Sequence, residues 1–197
     1  EGIGRIHEDG AKLLVRCVID RFYKEAETIF DLMAESEVTV ASEWDGFELD
    51  IKELVAEGLA SIDFKELALN GLYAVYQSTP KEKRAEKIYG YFLNSLCREV
   101  RLEDMLSVGP EELRELPDFW DSWIRLLSEK DGDTQERLLK EAVCYQRGGQ
   151  GLLEIARISY EKHPSLYLEA LAYSEREHDL EEQQKIGDEA LEKIDGK

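Results

Sequence analysis

The sequence predicts an all-α protein in which antiparallel helical hairpins stack into a curved array. Two observations carry this prediction. Apolar residues recur at a period near 3.6 over most of the chain, which is the spacing of one helix face. The motif Glu-Ala-x-x-Tyr also occurs twice, at Glu141 and again 28 positions later at Glu169, each time before a polar turn and a leucine. Stacked helical units bury their apolar faces on one another, so a repeated helical motif favours such an array.

The helices are expected in a regular order along the chain. Residues 37–46 show a brief apolar alternation that is too isolated to imply a sheet, so they are predicted as a loop. Pro117 disfavours helical geometry at Leu116, which predicts a break there. The predicted helices cover residues 8–20, 23–35, 48–61, 64–78, 81–97, 110–116, 118–130, 136–147, 165–176 and 180–194.

Capping boxes mark several of these helix starts. In a capping box, a short polar side chain accepts from the N3 amide while a glutamate at N3 reaches back to the N-cap. Four pairs have this spacing ahead of apolar-periodic segments. They are Asp63 with Glu66, Thr79 with Glu82, Asp133 with Glu136, and Asp179 with Glu182.

The repeated motif is predicted to lie on the first helix of each of two hairpins. Ala142 and Ala170 would let a neighbouring helix approach, and the tyrosines one turn on, Tyr145 and Tyr173, would fill the gap beside them. The glycines that follow the first copy, in "RGGQG" (147–151), join two helices and are expected to form a helix C-terminus and a turn. Their role is therefore structural, and a phosphate-cradling loop is disfavoured because no strand precedes them.

Two segments carry a resemblance to a known family. "RFYKEAETIFDLMAES" (21–36) resembles the turn and second helix of a tetratricopeptide repeat, with Ala26 and Phe30 on that family's Ala-x3-Phe positions. "ARISYEKHP" (156–164) resembles the end of such a repeat, with Pro164 as its closing proline. The family's Trp-x2-Leu-Gly-x2-Tyr pattern is missing. The resemblance implies a protein-binding scaffold of tetratricopeptide-like hairpins, with no catalytic residues to carry over.

Length and composition are compatible with one helical-repeat domain over residues 1–197. The chain has 197 residues, of which 43% are hydrophobic, enough to bury a core. It begins without methionine, so we expect it to be part of a larger polypeptide. The second irregular stretch, over residues 98–110, is a possible soft boundary within the domain.

The charge balance restricts the partners. The chain carries 44 acidic against 25 basic residues, a net charge of −19. Such a surface repels nucleic acid and anionic lipid, and the sequence has no apolar run of the roughly 20 residues that span a bilayer. We therefore expect a protein or peptide partner with a basic segment, and neither nucleic acid nor membrane. The alternative is that the acidity serves solubility alone.

The cysteines indicate a reducing compartment. Cys17, Cys97 and Cys144 form an odd, widely spaced set in apolar surroundings, without any Cys-x-x-Cys. Cysteines of this kind behave as small buried hydrophobes, and unpaired thiols are typical of cytoplasmic proteins. The predicted localisation is cytoplasmic.

No pattern in the sequence predicts catalysis, a cofactor or a metal. Glu175-x-x-His178 has the spacing of one half of a carboxylate-bridged di-iron site, but the second copy is missing. No serine or cysteine has a recognisable nucleophile neighbourhood. We therefore predict that the protein is not an enzyme and has no cofactor. One alternative is an all-helical enzyme or metal-binding protein whose site assembles from dispersed carboxylates, and another is a helical spacer without a ligand.

Four aromatic residues are candidates for partner binding. Trp120 and Trp123 are three positions apart and share a helix face, while Trp44 and Phe47 lie near the predicted loop. Tryptophan is enriched among residues that dominate binding energy. Helical spacing is also typical of core side chains, so each pair has a structural alternative.

Overall fold

The computed structural model describes residues 2–35, 37–41, 46–176 and 180–195. Helices dominate this part of the chain, which confirms the predicted all-α class at this level. The helices are α1 (Gly2–Ile19), α2 (Tyr23–Glu35), α3 (Ile51–Ala56), α4 (Phe64–Ser78), α5 (Lys81–Phe92), α6 (Leu116–Ser128), α7 (Asp133–Ser159), α8 (Leu166–Arg176) and α9 (Leu180–Asp195). Two short 3-10 helices cover Ser95–Cys97 and Leu102–Ser107.

Two antiparallel strands replace the predicted loop at its described residues, 37–41 and 46, where this prediction was wrong. Strands β1 (Glu37–Ala41) and β2 (Gly46–Asp50) pair antiparallel, with Val40 opposite Phe47. The brief alternation was therefore a strand signal, because its partner strand follows immediately in the chain.

The end of β2 also shortens the predicted helix at 48–61. Asp50 caps α3 in a full capping box: its Oδ1 accepts from the Glu53 amide at 2.8 Å, and Glu53 Oε2 accepts from the Asp50 amide at 2.8 Å. Helix α3 therefore begins only at Ile51. Leu54 and Ala60 pack with Leu49 of β2 in a small separate apolar cluster.

Two compact units make up the chain, Glu1–Glu115 and Leu116–Lys197. The first contains α1 to α5 and the two strands, and the second contains α6 to α9. The expected soft boundary at 98–110 lies inside the first unit, because Leu102 and Met105 are buried there. That residues 1–197 form a single domain stays a prediction.

Helices α2 and α5 of the first unit run side by side in the same direction. Three contacts join residues that are each 60 positions apart: Lys87 with Glu27, Tyr91 with Asp31, and Asn94 with the Ala34 carbonyl. A constant separation means that the two helices advance together. Helix α4 packs on α2, where Phe30 is fully buried against Gly71.

Tyrosine hydroxyls and one arginine hold the end of the first unit on α4. Tyr73 donates to the Glu111 carbonyl and Tyr76 to the Arg114 carbonyl, both at 2.7 Å. Arg84 of α5 is buried and donates to three backbone carbonyls and to Glu115 Oε2. These bonds keep the chain out of the helix predicted at 110–116, and α6 starts at Leu116.

The second unit also contains a parallel helix pair. Glu136 with Ser165, and Lys140 with Glu169, are contacts between residues 29 positions apart. The first part of α7 therefore runs alongside the start of α8 in the same direction. This separation lies close to the 28-position spacing of the Glu-Ala-x-x-Tyr motifs, whose Ala142 and Ala170 are both only 2% exposed. The predicted helix contact at these alanines is compatible with their burial.

Capping and burial differ from the sequence prediction at several helix starts. Asp63 does cap α4, since its Oδ1 accepts from the Glu66 amide at 3.0 Å. The predicted N-caps Thr79 and Asp133 are wrong, because Pro80 and Gly132 occupy the N-cap positions of α5 and α7, and Thr79 is instead the C-cap of α4. Asp179 lies outside the described residues, so its capping box with Glu182 stays a prediction. Within the described ranges, no helix is both long and apolar enough to cross a membrane.

Candidate functional site

A groove runs between α1 and the start of α4 in the first unit, and we call it the α1–α4 groove. Its volume is about 280 Å³. Its floor is apolar and consists of Ala11, Val15, Ile62 and Leu67. Its rim is charged and consists of Glu8, Lys12, Asp63 and Glu66.

Local structure explains why these side chains meet. On α1, Glu8, Ala11 and Val15 are three and then four positions apart, so they lie on one helix face. The Ser61 amide donates to Glu8 Oε1 at 2.7 Å, which ties the segment before α4 to α1 across 53 positions of sequence. The Asp63 cap then starts α4 directly beside this contact. One wall of the groove is thus fixed by helix periodicity and the other by two hydrogen bonds.

The groove rim is negatively charged. The Glu66 side chain is exposed, and among the described residues no cation lies within ion-pair distance of its carboxylate. Lys12, which is 75% exposed, has Asp9 Oδ1 at 3.8 Å from its Nζ. The single rim cation is therefore offset by an aspartate outside the groove, and three carboxylates remain on the rim.

A second cleft continues from the groove along α4. It has a volume of about 490 Å³ and shares Asp63 and Glu66 with the groove. Its other lining side chains include Leu69, Asn70 and Val108. Lys65 on its edge is bound to Asp104 at 2.8 Å, so this lysine too is neutralised by a neighbour.

The second unit has a cleft of its own at the turn inside α7. It measures about 370 Å³, with Leu153, Ala170 and Ile186 as apolar lining and Tyr173 as an aromatic wall. Arg147 on its rim is paired with Asp121 at 2.8 Å.

Geometry accounts for the glycines at this turn. Gly148 has φ 62° and ψ −156°, a conformation that is essentially restricted to glycine. A Cβ at Gly149 would lie 2.0 Å from Cδ1 of Tyr173, and a Cβ at Gly151 would lie 2.3 Å from the Arg147 Cβ. The "RGGQG" stretch is therefore a tight helix-to-helix turn, as the sequence predicted.

The structure places Trp120 and Trp123 in the interior of the second unit. They are 3% and 0% exposed. Phe119 stacks on Trp123 with ring centroids 6.0 Å apart, and Tyr145 packs on Trp120 at 5.2 Å. Trp120 Nε1 has no hydrogen-bond partner among the described residues. Both indoles thus take the core alternative and offer no exposed surface to a partner.

The other predicted pair falls largely outside the described part of the chain. Trp44 is not among the described residues. Phe47 lies in β2, where its backbone pairs with Val40, but its side chain is not described. Their role in partner binding stays a prediction.

The titratable groups that the sequence singled out show little reactive character. Burial raises the pKa of the Cys97 thiol to about 12, so the thiol is protonated at neutral pH and a poor nucleophile. His163 is fully buried, with Nε2 3.2 Å from the Leu127 carbonyl. His178 lies outside the described residues. In the ranges that the structure covers, no three His, Cys, Asp or Glu side chains are grouped to hold a metal.

Sequence reasoning missed the residues of the α1–α4 groove. It assigned Asp63 and Glu66 to helix capping alone, and it drew nothing from Glu8, Ala11 and Val15. Their shared helix face was a readable signal. The segment opposite that face could not be predicted, because the hydrogen bond from Ser61 to Glu8 that joins the two spans 53 positions.

Comparisons with known proteins give no further lead. No protein-family model matches the chain, and no curated protein or solved structure matches it.

Proposed function

We propose that this protein is a scaffold of stacked, tetratricopeptide-like helical hairpins that binds a partner protein or peptide. The observation that carries the proposal is the pairing of helices in the same direction at a constant separation. The sequence separation of the contacting residues is 60 positions between α2 and α5, and 29 positions between α7 and α8. Helix pairs that repeat in this way form extended arrays whose surfaces bind other proteins.

Side-chain packing supports the same proposal. Ala26 and Phe30, which carry the tetratricopeptide resemblance, are both 0% exposed. A small residue one turn before a buried aromatic residue lets two helices approach closely and then fills the space beside the contact. The alanine pair of the second unit, Ala142 and Ala170, is buried in the same way.

The proposed partner is basic, and the proposed compartment is the reducing cytoplasm. The net charge of −19 favours association with Lys- and Arg-rich segments, mainly by speeding diffusional encounter. None of the three cysteines is in a disulfide, as expected in a reducing compartment.

Affinity capture tests the scaffold function. The full chain is immobilised and exposed to a lysate at about 0.05 M and about 0.5 M NaCl, and captured proteins are purified and titrated back by calorimetry. We expect a stoichiometric protein partner whose association slows at high salt without being abolished. Tight binding to a DNA or RNA duplex, or a stoichiometric metal in the purified protein with no protein partner, would contradict the proposal.

A further inference from the structure

We propose that the α1–α4 groove binds a segment of the partner in which one apolar side chain is flanked by lysine or arginine. This inference rests on the proposed scaffold function and assigns it a place on the molecule. It is carried by two independent properties of the groove, the apolar floor and the unneutralised carboxylates of the rim.

The floor selects one apolar side chain. Ala11, Val15 and Ile62 are half-buried, and Leu67 beneath them is 1% exposed. An inserted aliphatic or aromatic side chain would remove the exposed part of these residues from water, which is worth roughly 25 cal/mol per Å² of apolar surface. At about 280 Å³ the groove lies just below the range of about 300–1,000 Å³ typical of small-molecule sites, so one anchoring side chain fits it better than a larger ligand.

The rim selects cationic neighbours of that anchor. Glu8 and Asp63 each use one carboxylate oxygen to accept a backbone amide, which fixes their positions at the groove edge. Glu66 has no such bond and no described cation beside it, so its carboxylate is exposed at the rim. A lysine or arginine on either side of the anchor would form ion pairs with these largely exposed carboxylates, each worth up to about 1 kcal/mol.

The lysines near the groove do not compete for these carboxylates. Lys12 is drawn to Asp9 and Lys65 to Asp104, both outside the rim. An anionic segment would therefore meet repulsion without a free cation to offset it. The electrostatics of the groove are complementary to a basic segment and to no acidic one.

A peptide titration tests the groove directly. The probe is the synthetic peptide Gly-Lys-Lys-Phe-Lys-Lys-Gly, added to the full ¹⁵N-labelled chain while amide chemical shifts are recorded. Control peptides replace the phenylalanine by serine or every lysine by glutamate. We expect shifts centred on Ala11, Val15, Ser61 and Leu67, weaker binding without the phenylalanine, and no binding of the acidic peptide.

Charge variants separate the groove from the overall acidity of the chain. Glu66→Lys is expected to weaken peptide binding about five-fold at low salt, whereas Glu86→Lys, the same charge change at an exposed α5 residue, changes it less than about two-fold. Lys12→Glu adds a rim carboxylate at a highly exposed side chain and is expected to tighten binding about three-fold. Circular dichroism verifies that each variant keeps its helix content.

The outcomes distinguish the groove from the scaffold function. Equal effects of Glu66→Lys and Glu86→Lys, or shifts centred away from the groove, would overturn the groove proposal. A captured partner that binds the Glu66→Lys variant as tightly as it binds the parent would also overturn the groove proposal. It would not contradict the scaffold function. Loss of the groove shifts in an Ala11→Phe variant, which fills the floor, would support the site independently of charge.

Discussion

Tyr173 of α8 lies so close to Gly149 of α7 that a Cβ atom at Gly149 would stand 2.0 Å from Cδ1 of the phenol ring. The two residues come from helices on either side of the turn cleft, and their contact requires a residue without a side chain. Gly149 therefore allows the Tyr173 ring to lie flat against the turn in α7.

Gly149→Ala is expected to destabilise the protein by about 1–3 kcal/mol, because the tyrosine ring has to move out of its place. Gly187→Ala is the matched control in α9, where an added Cβ meets nothing within 4 Å. That change is expected to stabilise by about 0.5–1 kcal/mol through helix propensity. Urea denaturation measures both values, and a gain in stability for both variants would contradict the contact.

Ala142 and Ala170 are predicted to lie at helix contacts of the second unit. Each is 2% exposed, so Ala142→Leu and Ala170→Leu should overpack the interface and cost about 1–3 kcal/mol each. Ala172→Leu on α8 is a control at a half-buried position and should cost less. Thermal melting of the three variants checks this order, and parent-like melting of the first two would mean that the alanines tolerate a larger side chain.

His163 is predicted to contribute to the stability of the second unit. It is fully buried, and since a carbonyl can only accept, its Nε2 donates to the Leu127 carbonyl at 3.2 Å. His163→Ala leaves a cavity and removes one of the two hydrogen bonds of the Leu127 carbonyl, which keeps its bond from the Lys130 amide at 3.1 Å. The change should cost about 2–4 kcal/mol, mainly through the cavity. Chemical denaturation gives the value, with His7→Ala on α1 as the half-buried comparison. A loss no larger than that of His7→Ala would show that the site relaxes fully.

Glu189 is predicted to support stability above acidic pH. Hydrogen bonds from Arg157, and then from the Tyr167 hydroxyl, hold the pKa of the Glu189 carboxyl below its ordinary value. A lowered folded-state pKa stabilises the fold above the unfolded-state pKa, and this contribution is lost as pH falls through the folded value. Glu189→Gln should therefore cost up to about 1 kcal/mol at pH 7 and progressively less below about pH 4. Urea denaturation from pH 7 to below about pH 4 tests this, with Asp188→Asn as the exposed control.

Tyr167, which donates to Glu189, is predicted to support stability below alkaline pH. Burial first, and then its hydrogen bond to Glu189, raises the pKa of the Tyr167 hydroxyl to about 12. A raised pKa contributes stability below the unfolded value near 10, and that contribution is lost as pH rises towards 12. Tyr167→Phe should lie closer to the parent in stability at alkaline pH than at pH 8. If the difference in unfolding free energy between Tyr167→Phe and the parent stays constant from pH 8 to alkaline pH, ionisation of this hydroxyl does not affect stability.

The sequence could predict most helices and the start of α4, because these depend on interactions within one or two turns. Periodicity places α2 at 23–35 and α4 at 64–78, as observed. The Asp63 side chain meets the Glu66 amide three positions on, so its role as a cap was readable from spacing alone. The burial of Ala142 and Ala170 followed from the same helical periodicity.

Tertiary structure decided what lies opposite each helix face. Arg84 and His163 are both buried, and distant backbone carbonyls, those of Arg114 and Leu127, accept their N–H groups. Strand β2 was not recognised in the sequence, and its pairing with β1 in the folded structure defines it. The α1–α4 groove depends on the bond from the Ser61 amide to Glu8 across 53 positions. Local propensity cannot specify such contacts, because they depend on how the helices pack once the chain has folded.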